Sequence, residues 1–212
     1  GVIALTLQGR RFVNEGNSYH DFVQALFAQG ETSAWLVTDH RALRAYGLGF
    51  VKPWPLPLAP HLKSGYLIRD DSFDGLARKL SIPERAMRQS LERYNEHAKS
   101  GADPDFGKGG TAYNRFYGDP GIQPNPCVAP IEAPPYYAVK LVVGDLGTYA
   151  GISTNGQAQV LDANKRPIPG LYAAGNDALS IMGGNYPGPG ITLGPAMTFG
   201  WIAGRHLAGA ED

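Results

Sequence analysis

The sequence predicts a protein of mixed α and β structure in two regions, which meet between residues 146 and 147. In the first region, helical and strand patterns are separated by long connections rich in glycine and proline. In the second, short strands lead into the glycine-rich segment GGNYPGPGITLGP (183–195) and then into a helix of small residues. A strand, a glycine-rich turn and a helix in this order are typical of nucleotide-binding sheets. We therefore expect an α+β region followed by part of an α/β sheet.

The first region contains three apolar runs bounded by turn residues. We predict strands at VIALTL, SAWLVTD and PPYYAVKLVVGD (2–7, 33–39 and 134–145). Between the first two, residues 18–29 carry apolar side chains at helical spacing. Ser18, with Asp21 three residues later, is a pattern for a helix N-terminus and places Tyr19 in the first helical turn.

Two further helices are predicted at 71–81 and 81–101. Ser81 and Glu84 have the spacing of a capping box at the start of the second helix, and Gly101 is a stop signal at its end. The apolar face of that helix is formed by Leu91, Tyr94 and Ala98.

The connection at 47–67 contains several prolines among apolar and aromatic residues, so we expect it to be irregular. Three interpretations are open for its Phe50, Pro53, Trp54 and Pro57. These residues line a substrate cleft, or they contact a membrane surface, or they pack over the core of their own domain.

In the second region we predict two strands joined by a turn, and a closing helix. The strands are QAQVLD and LYAAGN (157–162 and 171–176), the turn is NKRPIPG (164–170), and the helix covers 192–209. The glycines at 188, 190 and 194 let a ligand approach the backbone, and the helix N-terminus favours a developing negative charge. By itself this spacing is a weak signal, because a structural turn between sheet and helix has the same composition.

Composition excludes several function classes. The 212 residues include 19 basic and 19 acidic side chains, which gives no electrostatic basis for binding nucleic acid. No apolar stretch approaches the ~20 residues of a membrane span, and the start does not read as a secretory signal. The single cysteine, Cys127, excludes an intrachain disulfide and fits a reducing compartment, and the five histidines lack metal-ligand spacing. The chain begins without methionine, within a predicted strand, so we expect it to be part of a longer protein.

The segment PIPGLYAAGNDALSIMGGNYPGPGITLGPAMTFGWIAGRHLAG (167–209) resembles the C-terminal end of the flavoprotein fumarate reductase/succinate dehydrogenase superfamily. Within it, YPGPG resembles the 3-ketosteroid Δ1-dehydrogenases, as do GRRFVNEGNSYHDF, YNRFYGDP and PPYYAVKLVVGDLGT elsewhere. The resemblance implies that residues 1–146 form an α+β catalytic cap domain. Residues 147–212 would then be the last strands and helix of an α/β, Rossmann-like FAD-binding domain. The N-terminal G-x-G-x-x-G part of that domain is not in this sequence and is an implied partner of it.

The resemblance also implies the chemistry. FAD is the cofactor, a steroid-like ketone and an electron acceptor are the partners, and the reaction is dehydrogenation of the C1–C2 bond. A base removes a proton from C2, and a hydride leaves C1 for flavin N5. Tyr19 matches the family's base, and Tyr186 with the backbone N–H of Gly190 matches the donors to the C3 carbonyl. Phenols ionise near pH ~10, so a tyrosine base needs help, and a helix N-terminus supplies it.

The implied cofactor contacts fall at strand and helix ends. They are Gly175 and Asn176 for the ribityl chain, Ile191, Thr192 and Leu193 for the pyrimidine side of the flavin ring, and Gly147 and Thr148 as a weaker pair. The plain alternative for all of them is packing at the end of a strand.

Two other functions stay open. One is a related flavin dehydrogenase for another cyclic or α,β-unsaturated ketone. Fumarate itself is not favoured as the substrate, because GTYAG (147–151) lacks the histidine expected in the dicarboxylate-reducing members of the superfamily. The other is a non-catalytic fragment that does not hold flavin. We expect a cytoplasmic protein, with membrane association through a lipophilic substrate as a further possibility.

Overall fold

The computed structural model describes residues 1–210, which divide into two compact units. Unit 1 comprises residues 1–17 and 21–143, and unit 2 comprises Ser18–His20 together with the chain from Gly144 onward. This division reflects packing within each unit. It does not test the predicted domain boundary between residues 146 and 147.

Unit 1 is built on a four-stranded antiparallel sheet in the order β1–β2–β4–β3. The strands are β1 (Val2–Leu5), β2 (Ser33–Asp39), β3 (Ile68–Asp70) and β4 (Tyr136–Val142). Successive side chains alternate between two buried faces: Tyr137 and Val139 belong to one apolar cluster, and Ala138 between them belongs to another. The structure thus confirms the three predicted strands and adds β3, which at three residues is too short to give a pattern.

Helices lie in the connections between these strands. They are α1 (Tyr19–Ala28), α2 (His40–Tyr46), α3 (Ala59–Lys63), α4 (Phe73–Leu80), α5 (Glu84–Ala98) and α6 (Ala112–Phe116). The predicted face of α5 is buried, and its Leu91 and Tyr94 pack in the same cluster as Leu76 of α4. The helix α2 begins where the buried carboxylate of Asp39 accepts a hydrogen bond from the N–H of Ala42 at 2.9 Å.

The predicted capping box at Ser81 is wrong. Ser81 has a φ of 57°, in the left-handed region, and its N–H donates to the carbonyls of Ala77 and Arg78. It therefore ends α4. The next helix begins at Glu84 with Pro83 as its N-cap residue, which makes no side-chain cap bond. One serine cannot adopt the left-handed end of one helix and the extended N-cap of the next at the same time.

Unit 2 contains the antiparallel hairpin β5 (Gln159–Leu161) and β6 (Pro167–Tyr172), a 3-10 turn at Gly175–Asp177, and helix α7 (Leu193–Leu207). The order strand, turn, helix is as predicted, but the second strand starts earlier than predicted. The carboxylate of Asp162 accepts hydrogen bonds from the N–H groups of Asn164 and Arg166, and Lys165 has a φ of 64°. The hairpin turn is thereby closed within residues 162–166, and Pro167–Gly170 belong to β6 rather than to the turn.

The large apolar side chains of α7 lie mainly at the surface of the described chain. Leu193, Met197 and Trp201 are each more than 60% exposed, whereas Ala203 is buried. Within residues 1–210, every helix is too short or too polar to cross a membrane.

Candidate active site

Two tyrosines from distant parts of the sequence meet in unit 2. The ring of Tyr19 lies 5.8 Å from the ring of Tyr186, centroid to centroid, with the planes tilted by 42°. Tyr19 is the first residue of α1 and is 69% exposed, and Tyr186 lies in the glycine-rich segment before α7. The structure therefore brings together the two residues predicted as base and carbonyl donor, although it does not test their roles.

The position of Tyr19 follows from how the chain enters α1. Directly before the helix, the N–H of Gly16 donates to the side-chain oxygen of Asn14 at 2.9 Å. The buried amide of Asn114 donates to the carbonyl of Gly16 at 2.8 Å and to the side chain of Asn17 at 3.1 Å. These bonds fix the turn, and α1 then begins at Tyr19. A side chain in the first turn lies at the positive end of the helix dipole, where a negative charge is favoured.

The glycine-rich segment is shaped by left-handed backbone conformations. Gly183, Gly184 and Gly190 have φ values of 64°, 84° and 98°, which residues with a Cβ rarely adopt. A Cβ at Gly190 would meet no atom within 4 Å, so glycine is required there by the backbone and not by lack of space. The carbonyl of Gly190 accepts a hydrogen bond from Gly194 at 2.8 Å, just before the first turn of α7. The role of the Gly190 N–H toward a carbonyl stays a prediction.

A cavity of about 370 Å³ lies within unit 2. Five of the predicted cofactor residues line it: Thr148, Gly175, Asn176, Ile191 and Thr192. Apolar side chains complete the wall, among them Leu179, Ile181 and Phe199. Of the other two, Gly147 lies against Asn176, and Leu193 is 65% exposed and is not part of the lining.

Close backbone approaches build this cavity. A Cβ on Gly147 would lie 2.5 Å from the side-chain nitrogen of Asn176, and one on Gly175 would lie 3.2 Å from the Cβ of Ala196 in α7. A Cβ on Gly151 would lie 2.5 Å from the backbone of Ala178. Each of these glycines therefore lets one segment of the wall come within contact of another.

The electrostatics of the cavity come from dipoles, because none of its lining residues is charged. The helix α7 starts at its edge, and Thr192, the N-cap residue, makes no side-chain cap bond. The helix dipole places roughly half a positive charge at this end of α7. This end of the cavity, with the Asn176 amide, suits the polar, electron-rich edge of a ligand. The side formed by Ile181, Ile191 and Phe199 suits a flat apolar ring of the same ligand.

Sequence reasoning missed several residues of this wall. Tyr149 lines the cavity, and its ring also lies 6.3 Å from the ring of Tyr186. The signal was present, since Tyr149 is the only aromatic residue in the predicted GTYAG turn. Ile181 and Phe199 gave no signal, because an apolar side chain in a loop or helix is compatible with many environments.

Comparison with known proteins assigns this chain to a family. The profile of the FAD binding domain family matches residues 1–193. The 4-oxocyclohex-2-ene-1-carboxylate 5-dehydrogenase of Sinomonas cyclohexanicum is 42% identical over 98% of this chain and 36% of its own length. The 3-oxosteroid 1-dehydrogenase of Mycobacterium tuberculosis is 40% identical over 98% of this chain and 38% of its own length. The chain thus spans little more than a third of these relatives.

A solved structure gives the same result for the fold. The 3-ketosteroid Δ1-dehydrogenase of Sterolibacterium denitrificans, in complex with 1,4-androstadiene-3,17-dione, superposes with a TM-score of 0.91 at 41% identity. The match covers 100% of this chain and 39% of that protein.

The chain belongs to the FAD binding domain family. Its relatives include a 3-oxosteroid 1-dehydrogenase and a 4-oxocyclohex-2-ene-1-carboxylate 5-dehydrogenase. The resemblance to the 3-ketosteroid Δ1-dehydrogenases and the expectation of FAD as cofactor are therefore confirmed. The cavity agrees with this cofactor, because its glycine-built wall, uncharged lining and helix N-terminus fit a flat heterocycle with a polar edge.

Proposed function

We propose that this chain is part of an FAD-dependent dehydrogenase that oxidises the C1–C2 bond of a 3-ketosteroid. The observation that carries the proposal is the meeting of Tyr19 and Tyr186 at 5.8 Å within one unit. Two phenols side by side can serve opposite tasks, one accepting a proton and the other donating a hydrogen bond. Removing hydrogen next to a ketone requires both tasks.

The proposal assigns roles to named groups. The Tyr186 hydroxyl and the Gly190 N–H donate hydrogen bonds to the C3 carbonyl oxygen and stabilise the enolate that forms when the C2 proton leaves. Tyr19, as phenolate, accepts that proton, and the N-terminus of α1 stabilises its negative charge. FAD, when bound, supplies the acceptor for the hydride. The residues that would hold it are Gly147, Thr148, Gly175, Asn176, Ile191, Thr192 and Leu193.

The domain assignment is part of the same proposal. Residues 1–146 are the α+β cap that carries Tyr19, and residues 147–212 supply the last strands and helix of the Rossmann-like FAD-binding domain. The remaining part of that domain, including the diphosphate-binding turn, lies outside these residues. This agrees with a chain that spans 36% to 39% of the relatives it matches.

A second candidate substrate is a monocyclic ketone. It is favoured by the relative that acts on 4-oxocyclohex-2-ene-1-carboxylate, which at 42% identity is as similar to this chain as the steroid enzymes are. Tyr19 and Tyr186 would keep their roles, because the chemistry at the carbonyl is the same. Turnover of androst-4-ene-3,17-dione and of a 4-oxocyclohexanecarboxylate, measured with an artificial electron acceptor, separates the two candidates.

The test of the roles uses the full-length protein with Tyr19→Phe and Tyr186→Phe. Each variant is expected to bind flavin normally, and the loss of one donor at a developing oxyanion typically lowers kcat by ~10²–10³. Tyr172→Phe is the matched control, because Tyr172 hydrogen-bonds to His206 at 2.6 Å in the same unit. Near-normal kcat in either active-site variant would contradict its role. Full-length protein that stays colourless after incubation with FAD would favour the non-catalytic alternative.

We also propose a cytoplasmic location with contact to membranes through a lipophilic substrate. Cell fractionation followed by detection of the intact protein tests this. Recovery from the extracellular fraction would contradict it.

A further inference from the structure

Tyr149 lines the cavity and also lies beside Tyr186, one of the two tyrosines of the candidate active site. It lines the cavity together with Asn176 and Thr192, and its ring lies 6.3 Å from that of Tyr186 at an angle of 55°. The rings of Tyr19, at 5.8 Å, and of Tyr149, at 6.3 Å, therefore both lie beside the ring of Tyr186. We propose that Tyr149 is a positioning residue that holds the ring of Tyr186 from the cavity side and thereby sets which ketones react. This inference rests on the function proposed above.

The backbone at Tyr149 is firmly anchored. Its carbonyl accepts a hydrogen bond from the N–H of Ser180 at 3.2 Å. On its N-terminal side, the hydroxyl of Thr148 exchanges two hydrogen bonds with the backbone of Ala150, at 2.9 and 3.0 Å. These bonds fix the direction from which the side chain leaves the backbone.

The anchoring continues on the C-terminal side of Tyr149. The N–H of Ile152 donates to the carbonyl of Asp177 at 2.8 Å, and the carbonyl of Ile152 accepts from Leu179 at 2.9 Å. Gly151 packs so closely on Ala178 that a Cβ would lie 2.5 Å from its backbone. The turn that carries Tyr149 is thus docked on the segment that follows Asn176, which is itself part of the cavity wall.

Tyr19 and Tyr149 differ in how they are held beside Tyr186. Tyr19 is 69% exposed, whereas Tyr149 is half-buried in the cavity wall. The half-buried, backbone-anchored ring is the better support, because an exposed side chain keeps more of its rotamer freedom. Tilted ring pairs at this separation are attractive. We infer that Tyr149 fixes the direction in which the Tyr186 hydroxyl points.

This position has a consequence for substrate choice. A ketone must present its carbonyl to Tyr186 while its reacting carbon lies over the cavity. Tyr149 lies between Tyr186 and the cavity, so its ring governs the angle at which the ketone approaches. A fused four-ring ketone is also oriented by its remote rings, whereas a monocyclic ketone depends on the contacts near the carbonyl. Loss of the Tyr149 ring should therefore harm monocyclic ketones more than steroids.

The experiment compares Tyr149→Phe and Tyr149→Ala in the full-length, flavin-loaded protein. Tyr149→Phe keeps the ring and is expected to retain wild-type kcat within about twofold. Tyr149→Ala is expected to lower kcat, counted per bound flavin in folded protein, about tenfold, because misaligned groups lose rate. With both ketone classes turned over, the ratio of kcat/KM is expected to shift about fivefold toward the steroid. Tyr172→Ala, which removes a tyrosine of the same unit that contacts His206, is the control.

Several outcomes would overturn the inference. Wild-type kcat in Tyr149→Ala would show that the ring does not position Tyr186. A loss of flavin or of melting temperature that accounts for the lower rate would show a structural role only. The proposed function fails separately: it fails if Tyr186→Phe keeps its rate, whatever the Tyr149 variants do. If Tyr186→Phe is slow and Tyr149→Ala is normal, only the inference about Tyr149 fails.

Discussion

Replacing Glu15 by Gln is expected to destabilise unit 1 strongly. Glu15 belongs to a buried network of four charged side chains in which Arg11 pairs with Glu15 and Asp103, and Lys108 pairs with Glu15. All four side chains are less than 10% exposed. The Glu15 carboxylate accepts hydrogen bonds from the N–H of Ala4 at 2.9 Å, from Arg11 at 2.8 Å twice, and from Lys108 at 3.0 Å.

The magnitude follows from what the substitution leaves behind. Arg11 keeps its pair with Asp103, but the ammonium of Lys108 loses its carboxylate partner and keeps its hydrogen bond to the carbonyl of Val2, at 2.7 Å. Breaking a buried ion pair from one side typically costs ~3–5 kcal/mol, because the remaining charge stays buried without compensation. We expect the lower end, ~3 kcal/mol, since the glutamine still offers one oxygen to Ala4 or Arg11.

The assay is urea denaturation of the full-length protein, followed by tryptophan fluorescence. Glu84→Gln is the matched control, because Glu84 pairs with Arg78 at 3.1 Å while both side chains are largely exposed. An exposed pair contributes only ~0–1 kcal/mol. A loss of less than 1 kcal/mol in Glu15→Gln, no larger than in the control, would refute the reasoning for the buried network.

The same network sets a dependence on pH. Burial raises the pKa of Glu15, but the charge of Lys108 and the hydrogen bond from Arg11 together lower it from 4.5 to about 2. A carboxyl whose pKa is lowered on folding stabilises the protein above its unfolded pKa, and this contribution is lost as the pH falls through the folded value. The wild-type protein should therefore lose this part of its stability between about pH 4.5 and 2, and Glu15→Gln should not show that loss.

Three other predictions concern the second unit and the proline-rich connection. Asn176→Ala should weaken flavin binding about tenfold, measured by flavin lost on ultrafiltration; Asn164→Ala, in the hairpin turn, should have no effect. Gly151→Ala should lower stability by ~1–3 kcal/mol, because its Cβ would lie 2.5 Å from the backbone of Ala178. Gly156→Ala is the control, because its Cβ would meet nothing within 4 Å. Equal melting temperatures for the two variants would contradict this prediction. Trp54→Ala should change stability by less than ~0.5 kcal/mol, since Trp54 is 73% exposed; a larger loss on denaturation would favour a loop folded over its own core.

Local patterns in the sequence were sufficient for most of the secondary structure. Strands β1, β2 and β4 and helices α1, α4, α5 and α7 lie where the apolar periodicity predicts them. One failure is the connection at 47–67, which was predicted to be irregular and contains helix α3 (Ala59–Lys63). Ser81 ends α4 instead of capping α5, and the hairpin turn before β6 is closed by Asp162 within fewer residues than the proline pattern suggests.

For the site, the sequence alone determined which residues carry the chemistry to be tested. The YPGPG and NSYHDF segments select Tyr186 and Tyr19 through their resemblance to the 3-ketosteroid Δ1-dehydrogenases, because the local patterns by themselves also fit a structural turn and a packed aromatic residue. The cofactor was likewise accessible from sequence, and family membership confirms it.

Only the tertiary structure decided how these residues meet. The contact between Tyr19 and Tyr186 joins the two ends of the chain, and the role proposed for Tyr149 depends on a distance between side chains on different loops. Sequence patterns report periodicity over a few neighbouring residues, whereas the separation of two rings depends on the path of the whole backbone between them. For this reason the glycines at 147, 151 and 175 could be recognised as turn residues, but the close approaches that they permit became visible only in the fold.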